Sequence, residues 1–172
     1  MTTTATQTPL LELWPVAIDW DLAFTRPQMR RACAYWQSLC DGRRMPARRE
    51  LNPRAMKEFL PYVNLVNVER RDGSAYDYIV TLQCNHARDI LGNVENKRLS
   101  DVLPSAIEQR WRSSFDLTRL NAAPVRLTTR ASTLAKNWLS CEILLAPLGQ
   151  NEEVEAIFWT FVTWPITPDS MI

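Results

Sequence analysis

The run of residues 154–164 is apolar in both of its alternating sets of positions. One set holds Val154, Ala156, Phe158 and Val162, and the other holds Ile157, Trp159 and Phe161. Successive side chains of a strand point to opposite faces of its sheet, so this strand has apolar side chains on both faces. Such a strand belongs in the middle of a sheet that is covered on both sides. This requirement limits the possible folds of the chain more than any other feature does.

Earlier patterns supply the other strands and the cover for one face. Alternation predicts four more strands, over residues 62–69, 76–83, 125–130 and 139–145. A helix is predicted over 104–120, because apolar residues step by four along one face at Leu103, Ile107, Trp111 and Phe115. Two strands, a helical part and three strands predict an α+β fold with a five-stranded antiparallel sheet.

The segment 27–40 is the predicted cover for the other face. Its apolar residues follow helical spacing: Met29, Ala32, Cys33, Trp36, Leu39 and Cys40. Pro27 suits the first helical turn, and Gly42 is well placed to end the helix. A second short helix is expected from Pro53 to Phe59, with Asn52 as its cap.

Composition and charge exclude several classes of function. The chain has 20 basic and 19 acidic residues, a formal net charge of +1, so it lacks the positive field of a nucleic-acid binder. No stretch of about eighteen apolar residues occurs, so no membrane insertion is predicted. The N-terminus lacks the pattern of a signal peptide, and the four cysteines form no CxxC motif, so we expect buried thiols in the cytoplasm. His86 is the single histidine, which argues against a catalytic or metal site.

The octapeptide Asn85-His86-Ala87-Arg88-Asp89-Ile90-Leu91-Gly92 follows the predicted strand 76–83 directly. Asn85 is expected to cap a short helix, and Gly92 to end it. The order of elements and the Asn-x-Ala-x-x-x-x-Gly pattern resemble a PAS domain. Three further motifs are similar to bacterial short, stand-alone PAS-domain proteins: Tyr35-Trp36, Gly42-Arg43-Arg44-Met45-Pro46 and Leu60-Pro61.

The resemblance implies a PAS-like sheet with helices on one face and an N-terminal helical extension. The corresponding divisions are a tail over 1–26, the extension over 27–61, the PAS-like domain over 62–165 and a tail over 166–172. It also implies a sensory or signalling module, commonly dimeric, without catalytic chemistry. It does not fix the cofactor: the cysteine motif of flavin-binding members does not follow Asn85, and residues 104–120 lack the histidine that haem-binding members usually supply.

Three groups of residues are candidates for function. A ligand pocket between the long helix and the sheet would be lined by Ile107, Trp111, Phe115 and Trp159 and would take an apolar or aromatic molecule. An acidic partner or a phosphate group would be bound by Arg43, Arg44, Arg48 and Arg49. Trp36 would cover the outer face of the sheet or contribute to a dimer contact. Each tryptophan could instead simply fill the core. The arginine segment could instead be a solvated linker.

The leading hypothesis is a cytoplasmic, bacterial, homodimeric PAS sensor that binds a small molecule, a signalling protein or both. The first alternative is a ligand-free interaction adaptor whose pocket is filled by its own side chains. A small-molecule-modifying enzyme of a related α+β fold is the third.

Overall fold

The structure, a computed structural model, describes residues 16–73, 76–131 and 139–166. Its six strands are Val16–Asp19 (β1), Val63–Arg70 (β2), Tyr76–Leu82 (β3), Val125–Ala131 (β4), Leu139–Gln150 (β5) and Glu153–Pro165 (β6). Its helices are Pro27–Cys40 (α1), Asn85–Leu91 (α2), Leu99–Val102 (α3) and Ser105–Asn121 (α4), with 3₁₀ turns at Arg48–Glu50 and Leu60–Tyr62. The remaining residues of the two predicted tails, 1–15 and 167–172, lie outside the described residues.

All six strands pair antiparallel in one open sheet with the order β1-β4-β5-β6-β2-β3. The predicted α+β fold is confirmed, and β6 lies in the interior of the sheet as its two apolar faces required. The sheet has six strands instead of the predicted five. The additional strand, β1, lies within the segment predicted as a tail and pairs with β4 from Val16 opposite Thr129 to Asp19 opposite Arg126.

Helices cover both faces of β6. The long helix α4 packs on the face that carries Trp159, where the Trp111 and Trp159 ring centroids are 4.7 Å apart. On the opposite face, α1 buries Met29, Ala32, Cys33 and Trp36. Tyr35 contacts Phe158 across that interface, with 6.5 Å between the ring centroids. The amphipathic helix 27–40 is therefore the second cover that the sequence required.

Two local predictions differ from the structure. Residues 53–59 form consecutive turns instead of a helix, although the side chain of Asn52 accepts a hydrogen bond from the amide of Arg54 at 3.0 Å. The cap of α2 is Cys84, whose Sγ accepts from the amide of Ala87 at 3.4 Å, and Asn85 is the first helical residue. Gly92 ends α2 as predicted, with a φ of +76°.

Candidate functional site

Aromatic side chains from α4, β3 and β6 form one cluster between the long helix and the sheet. Three of the predicted pocket residues belong to it: Trp111, Phe115 and Trp159 contact one another, with centroid separations of 4.7 to 5.9 Å. Phe161 stacks on Trp159 at 5.5 Å, and Tyr78 lies 5.1 Å from Phe115. These five residues are called the aromatic cluster below. The fourth predicted residue, Ile107, is half-buried and packs against the edge of the core.

Tyr78 was not among the predicted pocket residues. The signal that could have identified it is the alternation of β3, in which Tyr78 and Val80 point to one face and both are fully buried. Val80 lies opposite Val66, which in turn lies opposite Ile157 of β6. Residues directly opposite one another in antiparallel strands share a face, so this places Tyr78 on the side of α4.

The indole N–H of Trp159 is the unusual polar group of the aromatic cluster. Trp159 is 1% exposed, and its Nε1 finds no hydrogen-bond acceptor among the described residues. Most buried N–H groups in proteins are paired, because an unpaired donor loses its hydrogen bonds to water without replacement. The cluster therefore offers one unsatisfied donor inside an apolar environment.

Charged residues fix α4 to β3 beside the aromatic cluster. The Tyr78 hydroxyl donates to Asp116 at 2.5 Å and accepts from Arg119 at 3.1 Å. Burial raises the pKa of Tyr78 well above its usual value, and the Asp116 carboxylate raises it further, so the phenol stays protonated and donates. Arg112 donates to Asp77, which is 1% exposed, at 3.1 Å. These bonds hold the helix that carries Trp111 and Phe115 in a fixed position on the sheet.

The predicted arginine candidates separate into two kinds. Arg43 donates to both carboxylate oxygens of Glu50, at 2.9 and 2.7 Å, and to two backbone carbonyls at the end of α1. The hydrogen bonds from Arg43, together with one from the Ala47 amide, lower the pKa of Glu50 to about 2. Arg48 donates to Asn67 of β2 and to Thr81 of β3. Arg44 and Arg49 are exposed, and within the described residues neither donates a side-chain hydrogen bond or forms an ion pair.

Trp36 lies inside the chain, where it covers the sheet. Its side chain is 3% exposed, and its indole N–H donates to the carbonyl oxygen of Pro147 at 2.9 Å. Of the two roles considered for Trp36, this is the one that covers the outer face of the sheet.

His86 stands at the start of α2 and faces β6. It is half-buried, its Nε2 lies 3.3 Å from the hydroxyl of Thr163, and its ring contacts Tyr62 and Phe161 at centroid distances of 5.8 and 5.1 Å. The sulfur of Cys84, two residues earlier, accepts a hydrogen bond from the amide of Ala87. Over the described residues, no group of three histidine, cysteine or acidic side chains is placed to hold a metal ion.

The comparisons with known proteins identify one family. A family model described as "PAS domain" matches residues 24–160, which is most of the chain. No curated protein and no solved structure matches. In the part of the chain that the structure describes, every helix is too short or too polar to cross a bilayer.

Proposed function

Because the chain belongs to the PAS-domain family, we propose that it is a cytoplasmic sensor that binds a small apolar or aromatic molecule and catalyses no reaction. Family membership indicates a sensory or signalling role, and the proposal adds the chemistry of the ligand. The molecule binds at the aromatic cluster, between α4 and the sheet. It carries one hydrogen-bond acceptor among otherwise apolar atoms.

The unpaired N–H of Trp159 is the observation that carries this proposal. Leaving a buried donor without a partner costs on the order of 1–3 kcal/mol. A ligand acceptor next to Nε1 recovers that free energy, while the rings of Trp111 and Phe115 supply apolar contacts. An aromatic cluster with one polar group that fixes orientation is typical of small-molecule sites. The bonds of Tyr78 and Asp77 to α4 hold Trp111 and Phe115 in place next to the proposed ligand site.

Native mass spectrometry of protein purified from its own host tests the proposal, because it measures bound mass and oligomeric state together. We expect a co-purifying molecule of a few hundred daltons. Titration of the released molecule into Trp159→Phe protein should give binding weakened by about tenfold, the value of one neutral hydrogen bond. Trp36→Phe is the matched control, because the Trp36 N–H is paired with Pro147 on the other face of the sheet. That variant should bind the ligand as the wild type does.

Two results would contradict the sensor proposal. One is that the purified protein carries no additional mass and binds no small molecule from an extract of its host. The other is equal ligand affinity in the Trp159→Phe and wild-type proteins, which would mean that the indole N–H does not contact the ligand.

A second candidate function is a ligand-free interaction adaptor, acting as a homodimer. The observation that favours it is the direct contact of the Trp159 ring with the rings of Trp111, Phe115 and Phe161. The same mass spectrum separates the two functions. A dimer without additional mass supports the adaptor, and bound mass supports the sensor.

A further inference from the structure

The turn between β5 and β6 and the segment that follows α1 enclose a cleft of about 500 Å³. Its lining residues are Gly42, Arg43, Arg44, Met45, Ala47, Arg49, Gly149, Gln150, Asn151 and Glu152. We call this the arginine cleft. It lies on the α1 side of the sheet. Arg48, in the same segment, donates to Asn67 of β2. Asn67 lies opposite Ala156, whose side chain is on the face of β6 opposite to that of Trp159. The arginine cleft is therefore separate from the aromatic cluster.

The backbone on both sides of the cleft is held in place. The amide of Gly149 donates to the carbonyl of Pro46 at 2.9 Å, which joins the turn to the arginine segment. A Cβ on Gly149 would lie 1.8 Å from the carbonyl oxygen of Glu153, so only glycine permits this approach. On the other side, Glu50 accepts from the amide of Ala47 at 2.6 Å as well as from Arg43. The cleft is thus preformed, and Arg43 is part of its frame.

Two guanidinium groups in the cleft form neither a hydrogen bond nor an ion pair with any of the described residues. Arg44 and Arg49 are exposed, whereas Arg43 in the same segment forms an ion pair with Glu50. Glu152 also lines the cleft, but within the described residues it forms no ion pair with either arginine. A guanidinium group presents planar, paired N–H donors that match the oxygens of a phosphate group.

We propose that the arginine cleft binds the phosphate group of a small phosphomonoester through Arg44 and Arg49. The volume of the cleft is within the usual range for small-molecule sites, about 300–1,000 Å³. The guanidinium N–H groups of Arg44 and Arg49 donate to the phosphate oxygens, and the side-chain amides of Gln150 and Asn151 bind the uncharged part of the molecule. This site does not depend on the proposed sensing at the aromatic cluster, so the two proposals fail separately.

Isothermal titration calorimetry of the full chain at low salt tests this site with ribose 5-phosphate, inorganic phosphate and ribose. We expect saturable binding of ribose 5-phosphate, weaker binding of inorganic phosphate and none of ribose. The Arg44→Gln/Arg49→Gln double variant should lose at least about tenfold in affinity, because it removes charge-assisted hydrogen bonds. Arg54→Gln is the control, since Arg54 is an exposed arginine five residues after Arg49 in the sequence and does not line the cleft. It should leave binding unchanged, and circular dichroism should give a native spectrum for every variant.

Three results would overturn the proposal. Wild-type protein that binds neither phosphate probe would exclude the site. An equal loss of affinity in Arg54→Gln would mean that the protein attracts anions through its general charge. Binding of a phosphoserine peptide without binding of ribose 5-phosphate would assign the cleft to a protein partner instead of a small molecule.

Discussion

Replacing Glu142 with glutamine tests how the chain leading into α1 is held on the sheet. Glu142 lies on β5 and is fully buried. One carboxylate oxygen accepts from the amide of Thr25 and from Nε of Arg126, both at 2.8 Å, and the other accepts from the amide of Arg26 at 3.0 Å. These bonds join β4, β5 and the residue preceding α1. Glu142 is therefore a single attachment point for three parts of the fold.

Glutamine keeps the shape of the side chain but removes its charge and one acceptor. Its NH₂ group would face either a backbone donor or the guanidinium group of Arg126. Removing one member of a buried ion pair costs about 3–5 kcal/mol. The Arg126 side chain is 15% exposed, and in the variant it retains its ion pair with Asp19 at 3.3 Å. We therefore expect the lower end of that range, a loss of about 3 kcal/mol in the free energy of unfolding.

Urea unfolding followed by tryptophan fluorescence measures this loss. With a denaturant slope of about 2 kcal/mol/M, the unfolding midpoint of Glu142→Gln should fall by about 1.5 M. Glu155→Gln is the matched control, because Glu155 is exposed on β6 and should change the free energy by no more than about 0.5 kcal/mol. A loss below about 1 kcal/mol for Glu142→Gln, or equal losses for both variants, would refute the attachment described above.

Three more predictions concern buried groups. Burial tends to raise the pKa of Asp77, but its hydrogen bonds, from the Tyr78 amide first, hold it below the usual value. The ionised Asp77 carboxylate therefore stabilises the fold above its unfolded pKa of about 4, and this stability is lost as the pH falls below that value. Asp77→Asn should remove this part of the pH dependence of the free energy of unfolding, measured with urea. Trp36→Phe loses the bond to Pro147 and should cost about 1–2 kcal/mol, measured in the same way. Burial raises the pKa of Cys33 to about 11 and that of Cys141 further, so Ellman's reagent should modify these two thiols only as the protein unfolds, as measured by peptide mass spectrometry.

Periodicity predicted the elements whose burial is continuous. Residues 154–164 had to form an interior strand, and the spacing of Met29, Ala32 and Trp36 had to form a helix with one buried face. Both predictions are confirmed, because a repeating apolar pattern records directly which side of an element meets the core. The same reasoning brought Trp111, Phe115 and Trp159 together.

Elements defined by contacts between distant residues were missed. Strand β1 has only four residues, too few to show alternation, and it forms by pairing with β4 more than a hundred residues later. The cap of α2 was missed for a local reason: β3 ends at Leu82, one residue earlier than predicted, and Cys84 instead of Asn85 is the residue that precedes the helix and caps it. A local sequence pattern contains no information on the pairing of β1 with β4.

The sequence by itself determined the fold family and the side chains that must be buried, because burial leaves a periodic pattern along the chain. The tertiary structure alone decided which of several identical groups remain available. Arg43 and Arg48 have hydrogen-bond partners in Glu50, Asn67 and Thr81, whereas Arg44 and Arg49 form no side-chain hydrogen bond or ion pair within the described residues. The N–H of Trp36 is paired and that of Trp159 is not. The physical reason is that a hydrogen bond depends on the position of its partner in space, and most of these partners lie on other elements.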